Sequence, residues 1–177
     1  MKLIYSIPDK LYYIQNFLDY PTYKKIHNSI IKERKNINFH SSKGIWSKDL
    51  IENIIPPKKI EIENYSPFEK LRILTNNNQF YKLKNFKKNH VAIHYMEKGS
   101  GINWHGDGSW TYGATFYVNR RWNNNFGGEF MFKLENNYGY IPVVGNSLII
   151  IKSPINHKVN PVLTSLVPRI SVQMFIK

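Results

Sequence analysis

From His90 to the C-terminus, short β-prone runs alternate with turn residues, and no helix-length segment separates them. The segments 90–96, 102–107, 110–119, 128–133, 138–143, 147–151, 155–160 and 168–176 each read as a strand. Turn signals at Gly99-Ser100-Gly101, Asn123-Asn124-Asn125, Gly127-Gly128 and Gly145-Asn146 punctuate them. A parallel sheet needs long crossovers, usually helical. Strands this closely spaced therefore predict an antiparallel sandwich or jelly roll.

The first half reads differently. Tyr23, Ile26, Ile30 and Ile31 recur at helical spacing after Pro21-Thr22, with Lys24, Lys25, Lys32 and Lys35 mostly outside that stripe. Pro67 opens a second predicted helix through Leu74, and Asn76-Asn77-Asn78 ends it. Between the two, 39–65 is loop-rich, with Pro56-Pro57 as a rigid break and Ile60-Glu61-Ile62-Glu63 alternating like a short strand. A chain of 177 residues with 42% hydrophobic and 15% aromatic residues can bury one core. The expectation is a single domain over 1–177, mainly β with N-terminal helices. Within it, 1–89 is a helical and loop support region and 90–177 the β core.

Composition narrows the chemistry. There is no cysteine, which excludes disulfides, thiolate metal sites and cysteine nucleophiles. Any metal ligands must come from His, Asp and Glu, a donor set that suits Fe(II). The start, Met1 to Ile7, is stopped by Pro8 and does not read as a secretory leader. No apolar run approaches the roughly 20 residues of a membrane helix. A cytoplasmic protein without a membrane partner is expected. The 25 basic and 12 acidic residues give a net charge of +13, a field that attracts nucleic acid, acidic proteins or small carboxylates alike. The basic residues are spread along the chain rather than bunched, which reads first as a lysine-rich surface.

Within the β half, His105-Gly106-Asp107 is followed by His157 and then Arg169. Residues i and i+2 of a strand share a face, so His105 and Asp107 can reach one ion while Trp104 points away. A later strand can bring His157 alongside. Two imidazoles and a carboxylate on one side of an octahedral ion leave its other positions open. Alone, a His-x-Asp pair is a weak signal. His27, His40, His90 and His94 lack ligand spacing with a carboxylate and read as non-ligands. Trp104, Trp110 and Trp122 read as core or rim aromatics.

The surrounding motifs sharpen this. Val91-Ala92-Ile93-His94-Tyr95, His105-Gly106-Asp107, Phe116-Tyr117-Val118-Asn119, Trp122, Gly127-Gly128-Glu129, His157-Lys158-Val159-Asn160-Pro161 and Arg169-Ile170-Ser171 follow in order. Together they resemble the Fe(II)/2-oxoglutarate-dependent dioxygenases, and within them the prolyl hydroxylase branch. The resemblance covers about His90 to Lys177 and implies a double-stranded β-helix (jelly-roll) core. It assigns His105, Asp107 and His157 to the metal, Arg169 to the distal carboxylate of 2-oxoglutarate, and Tyr117, Tyr95 and Ser171 to supporting contacts with that cosubstrate. His105, Asp107, His157 and Arg169 are then the catalytic set. The interval from His157 to Arg169 is longer than usual in this branch, which predicts a longer turn over 163–168. Radical halogenases of the superfamily have a small residue where this chain has Asp107, so a carboxylate there implies hydroxylation.

The implied cofactors are Fe(II), 2-oxoglutarate and O2, with ascorbate as a possible support. The leading reading is a dioxygenase that hydroxylates its substrate with release of succinate and CO2. The expected substrate is a prolyl residue in a peptide or protein, met by the segments 39–65 and 109–111. An oxygenase acting on nucleic acid is the alternative suggested by the charge. A non-catalytic jelly-roll binding protein is a third reading, and keeping all three ligand types with Arg169 argues against it. The sequence leaves the oligomeric state open.

Overall fold

Strand formation follows the apolar runs of the C-terminal half, and the N-terminal half adds strands of its own. The computed structural model describes residues 1–33, 46–62, 68–82 and 89–177. Its strands are β1 (Lys2–Ile7), β2 (Leu11–Gln15), β3 (Lys58–Glu61), β4 (Asn77–Asn78), β5 (Tyr81–Lys82), β6 (Asn89–Met96), β7 (Ile102–His105), β8 (Tyr112–Tyr117), β9 (Phe130–Leu134), β10 (Asn137–Ile141), β11 (Ser147–Lys152), β12 (Asn156–Val159) and β13 (Arg169–Ile176). The helices are α1 (Tyr20–Glu33) and α2 (Glu69–Asn76). A seven-stranded sheet has the order β1-β2-β11-β8-β13-β6-β3, and a four-stranded sheet the order β10-β9-β12-β7. All of the strand pairs are antiparallel.

The larger sheet is covered on both faces, which is why β11 reads Ser-Leu-Ile-Ile-Ile without polar alternation and is buried from Ser147 to Ile151. Its outer face carries Ile93, Phe116, Leu148, Val172 and Met174, packed beneath Tyr23, Ile26 and Ile30 of α1 and Leu71 of α2. Its inner face meets the smaller sheet through Leu11, Tyr13, Ile149 and Ile151 against Phe130, Phe132 and Ile141. This two-sheet jelly-roll core places one apolar interior between the sheets and a second under the helices. Among the described residues, no helix is long and apolar enough to cross a membrane.

All eight strands expected after His90 are present. The second matches only in part: β7 stops at His105, and Asp107 lies in the following turn. The region 1–89 departs further from expectation. It is not only helix and loop, because β1 and β2 are strands of the larger sheet, which β3, overlapping the short strand expected from Ile60, also joins. Leu11-Tyr12-Tyr13-Ile14 is buried or half-buried throughout, and after Pro8-Asp9 it carries a hairpin signal in its aromatic and β-branched residues. His40, Glu63 and the helix start expected at Pro67 lie outside the described residues.

Candidate active site

His105 and His157 face each other directly across β7 and β12, with ring centroids 4.3 Å apart. The His105 Nδ1 lies 2.7 Å from the Asn103 carbonyl oxygen, and the His157 Nδ1 lies 3.0 Å from that of Ile155. A carbonyl only accepts, so each Nδ1 carries the proton and each Nε2 keeps its lone pair. The His157 Nε2 sits 3.6 Å from Asp107 Oδ1, with both side chains more than nine-tenths buried. One donor atom from each of the three residues lies within 4.8 Å of the others. Three electron-pair donors thus converge with no proton between them, an arrangement that a cation relieves.

Burial shapes their protonation. It pushes the His105 imidazolium down to about 4, with His157 adding to the effect. It lowers His157 as well, and it raises the Asp107 carboxyl. Both histidines are therefore neutral near pH 7, the form that binds a metal. Asp107 fits because Gly113 stands opposite: a Cβ there would lie 2.1 Å from Asp107 Oδ2.

Below this cluster the inner face of the larger sheet forms transverse rows, since direct partners in antiparallel strands share a face. The row nearest Asp107 is His90, Phe175, Gly113 and Ile151. Next comes Ala92, Gln173, Thr115 and Ile149, and then His94, Ser171 and Tyr117. Arg169 and Met96 form the last row. The Arg169 guanidinium leans back toward the row above. Its Nη1 donates to Ser171 Oγ at 3.2 Å, its Nη2 to the Tyr117 hydroxyl at 3.4 Å, and its Cζ lies 4.9 Å from the Tyr117 ring centre. Arg169 is fully buried. Among the described residues its hydrogen-bond partners, with Met96 Sδ, are all neutral, and its Nε has none.

Two sequence motifs explain how Arg169 is held. The Asn119 side chain accepts from Ile170 N and donates to the Pro168 oxygen, both at 2.8 Å, clamping the backbone on either side of Arg169. At Gly128, with φ +76°, a Cβ would meet Arg169 Cδ at 2.8 Å, so the glycine leaves room for the arginine stem. The longer turn expected over 163–168 is present and exposes Leu163 and Leu166.

A cavity of about 500 Å³ opens beside the histidine–aspartate cluster. Phe130, Ile151 and Val159 make its wall apolar, while His90, Trp110 and Phe175 pack together at its aromatic side. Trp46, Leu50 and Lys59 reach it from within 39–65. That segment is tied beside His105 by Asn103, whose Nδ2 donates to the carbonyl oxygens of Asp49 and Glu52. Residues 90–177 match the 2OG-Fe(II) oxygenase superfamily. The chain belongs to that superfamily.

No curated protein sequence matches the chain. Among solved structures, a Pseudomonas putida prolyl-4-hydroxylase is similar, with 14% identity, a TM-score of 0.72, and 95% of this chain and 92% of that one covered. A Trichoplax adhaerens prolyl hydroxylase, solved in complex with a hypoxia inducible factor oxygen degradation domain peptide, has 17% identity and a TM-score of 0.71, covering 96% and 84%. The non-heme alpha ketoglutarate dependent epimerase SnoN from nogalamycin biosynthesis has 8% identity and a TM-score of 0.68, covering 96% and 79%. At these identities the likeness is one of fold, and it extends over the N-terminal strands as well as the core.

For a 2OG-Fe(II) oxygenase, the cofactors are Fe(II), 2-oxoglutarate and O2, and the His105–Asp107–His157 group fits the iron. A buried guanidinium with only neutral partners fits a carboxylate. The structure brings Arg169, Tyr117 and Ser171 together but not Tyr95. Tyr95 pairs with Ile170 on the outer face and packs in the core under the helices, with Lys58 Nζ 5.9 Å from its ring centre. Its neighbour His94 faces inward instead. Both parities of 91–96 are buried, Ala92, His94 and Met96 facing in and Val91, Ile93 and Tyr95 facing out, and the pairing with β13 decides which is which.

Proposed function

We propose that the chain is a 2-oxoglutarate-dependent hydroxylase acting on a prolyl residue of a peptide or protein. The observation that carries the reading is the convergence of His105 Nε2, Asp107 and His157 Nε2 on a cavity above a buried, carboxylate-free arginine. When bound, Fe(II) and 2-oxoglutarate supply the oxidising chemistry: O2 is reduced, 2-oxoglutarate is split to succinate and CO2, and one oxygen atom enters the substrate.

The chain's own residues do the rest. The Asn103 and Ile155 carbonyls hold the two imidazoles in the tautomer that offers Nε2. Gly113 leaves space for the Asp107 carboxylate. Arg169, backed by Tyr117 and Ser171, takes the distal carboxylate of the cosubstrate through its paired donors. The Gln173 amide, which donates to Ser171 Oγ at 3.1 Å and accepts from Thr115 Oγ1 at 2.8 Å, lies between the cavity and the guanidinium. Phe130, Ile151 and Val159 exclude water from the reacting centre.

The prolyl assignment draws on the fold shared with the two prolyl hydroxylases and on the aromatic side of the cavity. There the rings of His90 and Trp110 stack 6.2 Å apart beside Phe175 and offer apolar faces to a saturated ring. The test is succinate release by protein supplied with Fe(II), ascorbate and 2-oxoglutarate, with and without proline-containing peptides, alanine-substituted peptides and DNA or RNA oligonucleotides. Proline-dependent succinate with a mass gain of one oxygen is the expected result. Stimulation by oligonucleotides alone would replace the substrate assignment. Asp107→Ala should abolish turnover while far-UV circular dichroism stays unchanged, and surviving activity would remove Asp107 from the metal site.

A further inference from the structure

None of the roles proposed for the site residues falls to His94. It lies on β6, 2% exposed, facing the cavity. Among the described residues neither ring nitrogen has a hydrogen-bond partner. Among the described residues its ring packs edge-on against Trp46, with centroids 5.5 Å apart. A buried imidazole with both nitrogens unsatisfied is costly, and native interiors rarely keep one without a use. The hydroxyls and amides around it have found partners: Thr115 with Gln173, Gln173 with Ser171, and Ser171 with Arg169.

Its position gives the use. His94 pairs directly with Ser171, and Ser171 with Tyr117, so the three side chains form one inward-facing row across β6, β13 and β8. The Arg169 guanidinium leans into the level of this same row. Ser171 and Tyr117 already accept from Arg169, whereas among the described residues His94 is the member of the row with no hydrogen bond at all. It also lines the cavity directly, whereas Arg169 is linked to the cavity-lining Gln173 through Ser171.

We propose that His94 is a cosubstrate-binding residue, donating a ring N–H to the distal carboxylate of 2-oxoglutarate alongside Arg169. The inference rests on reading the site as a 2-oxoglutarate centre. An N–H aimed at a carboxylate in a dry site is a charge-assisted hydrogen bond, stronger than a neutral one. His94 takes the place that Tyr95 was expected to fill from the sequence, one residue along and on the other face of the strand.

The test uses the full chain loaded with Mn(II) in the absence of O2, so that binding is read without turnover. Calorimetry gives the 2-oxoglutarate and Mn(II) affinities of wild type, His94→Leu and His94→Gln, and thermal denaturation gives the stability of each metal-free form. His94→Leu should weaken 2-oxoglutarate binding about tenfold or more while Mn(II) binding stays within about twofold. Its metal-free melting temperature should not fall, because leucine removes two unsatisfied atoms. His94→Gln, which retains a donor, should recover part of the lost affinity. Wild-type 2-oxoglutarate affinity in His94→Leu would overturn the proposal. So would a lost affinity accompanied by a lowered metal-free melting temperature with no recovery in His94→Gln, which would make His94 a packing residue. A wild type that binds Mn(II) but no 2-oxoglutarate would overturn the functional reading itself, and that outcome is visible before any variant is made.

Discussion

Gly113 has no side chain where Asp107 needs room. Its backbone is ordinary strand, so alanine is tolerated by β8 itself, but the added methyl would sit 2.1 Å from Asp107 Oδ2 and 3.1 Å from its Cγ. Gly113→Ala should therefore turn the carboxylate away from the two histidines and weaken Fe(II) or Mn(II) binding by about 10–100-fold. Circular dichroism should stay close to wild type, and metal titration reads the loss. His94 gives a second prediction at this scale. Burial, followed by the charges of Lys59, Arg169, His105 and His90, holds its imidazolium down to about 3. The folded state thus keeps His94 neutral while the unfolded chain protonates it near 6.5. Its contribution to stability is present above about pH 6.5 and is lost as pH falls toward 3. In metal-free protein, wild type should lose up to about 1.4 kcal/mol per pH unit across that window relative to His94→Leu. Urea denaturation at stepped pH measures the difference, and parallel slopes would mean that His94 takes up its proton in the folded state as well.

At the scale of elements, one residue joins the end of β2 to the start of β11. Asn146, at φ +58°, accepts Leu18 N on its side-chain oxygen at 2.9 Å and donates to the Leu18 carbonyl at 2.8 Å. Its backbone accepts Phe17 N and donates to the Tyr117 oxygen. Asparagine tolerates this left-handed backbone better than most residues. Asn146→Ala should cost about 2–4 kcal/mol, from two buried backbone groups left unpaired and a strained φ. Asn146→Gly, which removes only the bonds, should cost less, and chemical denaturation separates the two. Helix α1 illustrates how far periodicity carries. The stripe read from the sequence buries Tyr23, Ile26 and Ile30, while its last member, Ile31, is 39% exposed. The stripe fixes the buried face, and contact with Phe116 and Val118 of the sheet decides where that face ends.

At the scale of the whole molecule, the N-terminal hairpin is part of the core rather than a support beside it. β2 pairs with β11 along its length and buries Leu11 and Tyr13 between the sheets and Ile14 under the helices. Removing residues 1–15 should expose the β11 edge and open both apolar interiors. The truncated chain is expected to aggregate or to lose cooperative thermal unfolding, and a melt as sharp as that of the full chain would refute the point. The cavity also depends on distant parts of the chain: Trp46 and Lys59 from the first half meet His157 and Gln173 from the second.

The sequence by itself determined the strand-rich second half and both helices, and its resemblance to a known family singled out His105, Asp107, His157 and Arg169. These are local properties: alternation, helical spacing, turn residues, and ligand types in a fixed order. Tertiary structure alone decided which parity of β6 faces inward, and so put His94 rather than Tyr95 in the row with Ser171 and Tyr117. It also decided that Lys2–Ile7 and Leu11–Gln15 are strands of the main sheet, and that Gly113 faces Asp107. The physical reason is the same in each case. A strand buried on both faces has no solvent-facing side to mark its orientation, and register against a neighbour is a property of the pair, written in neither strand alone.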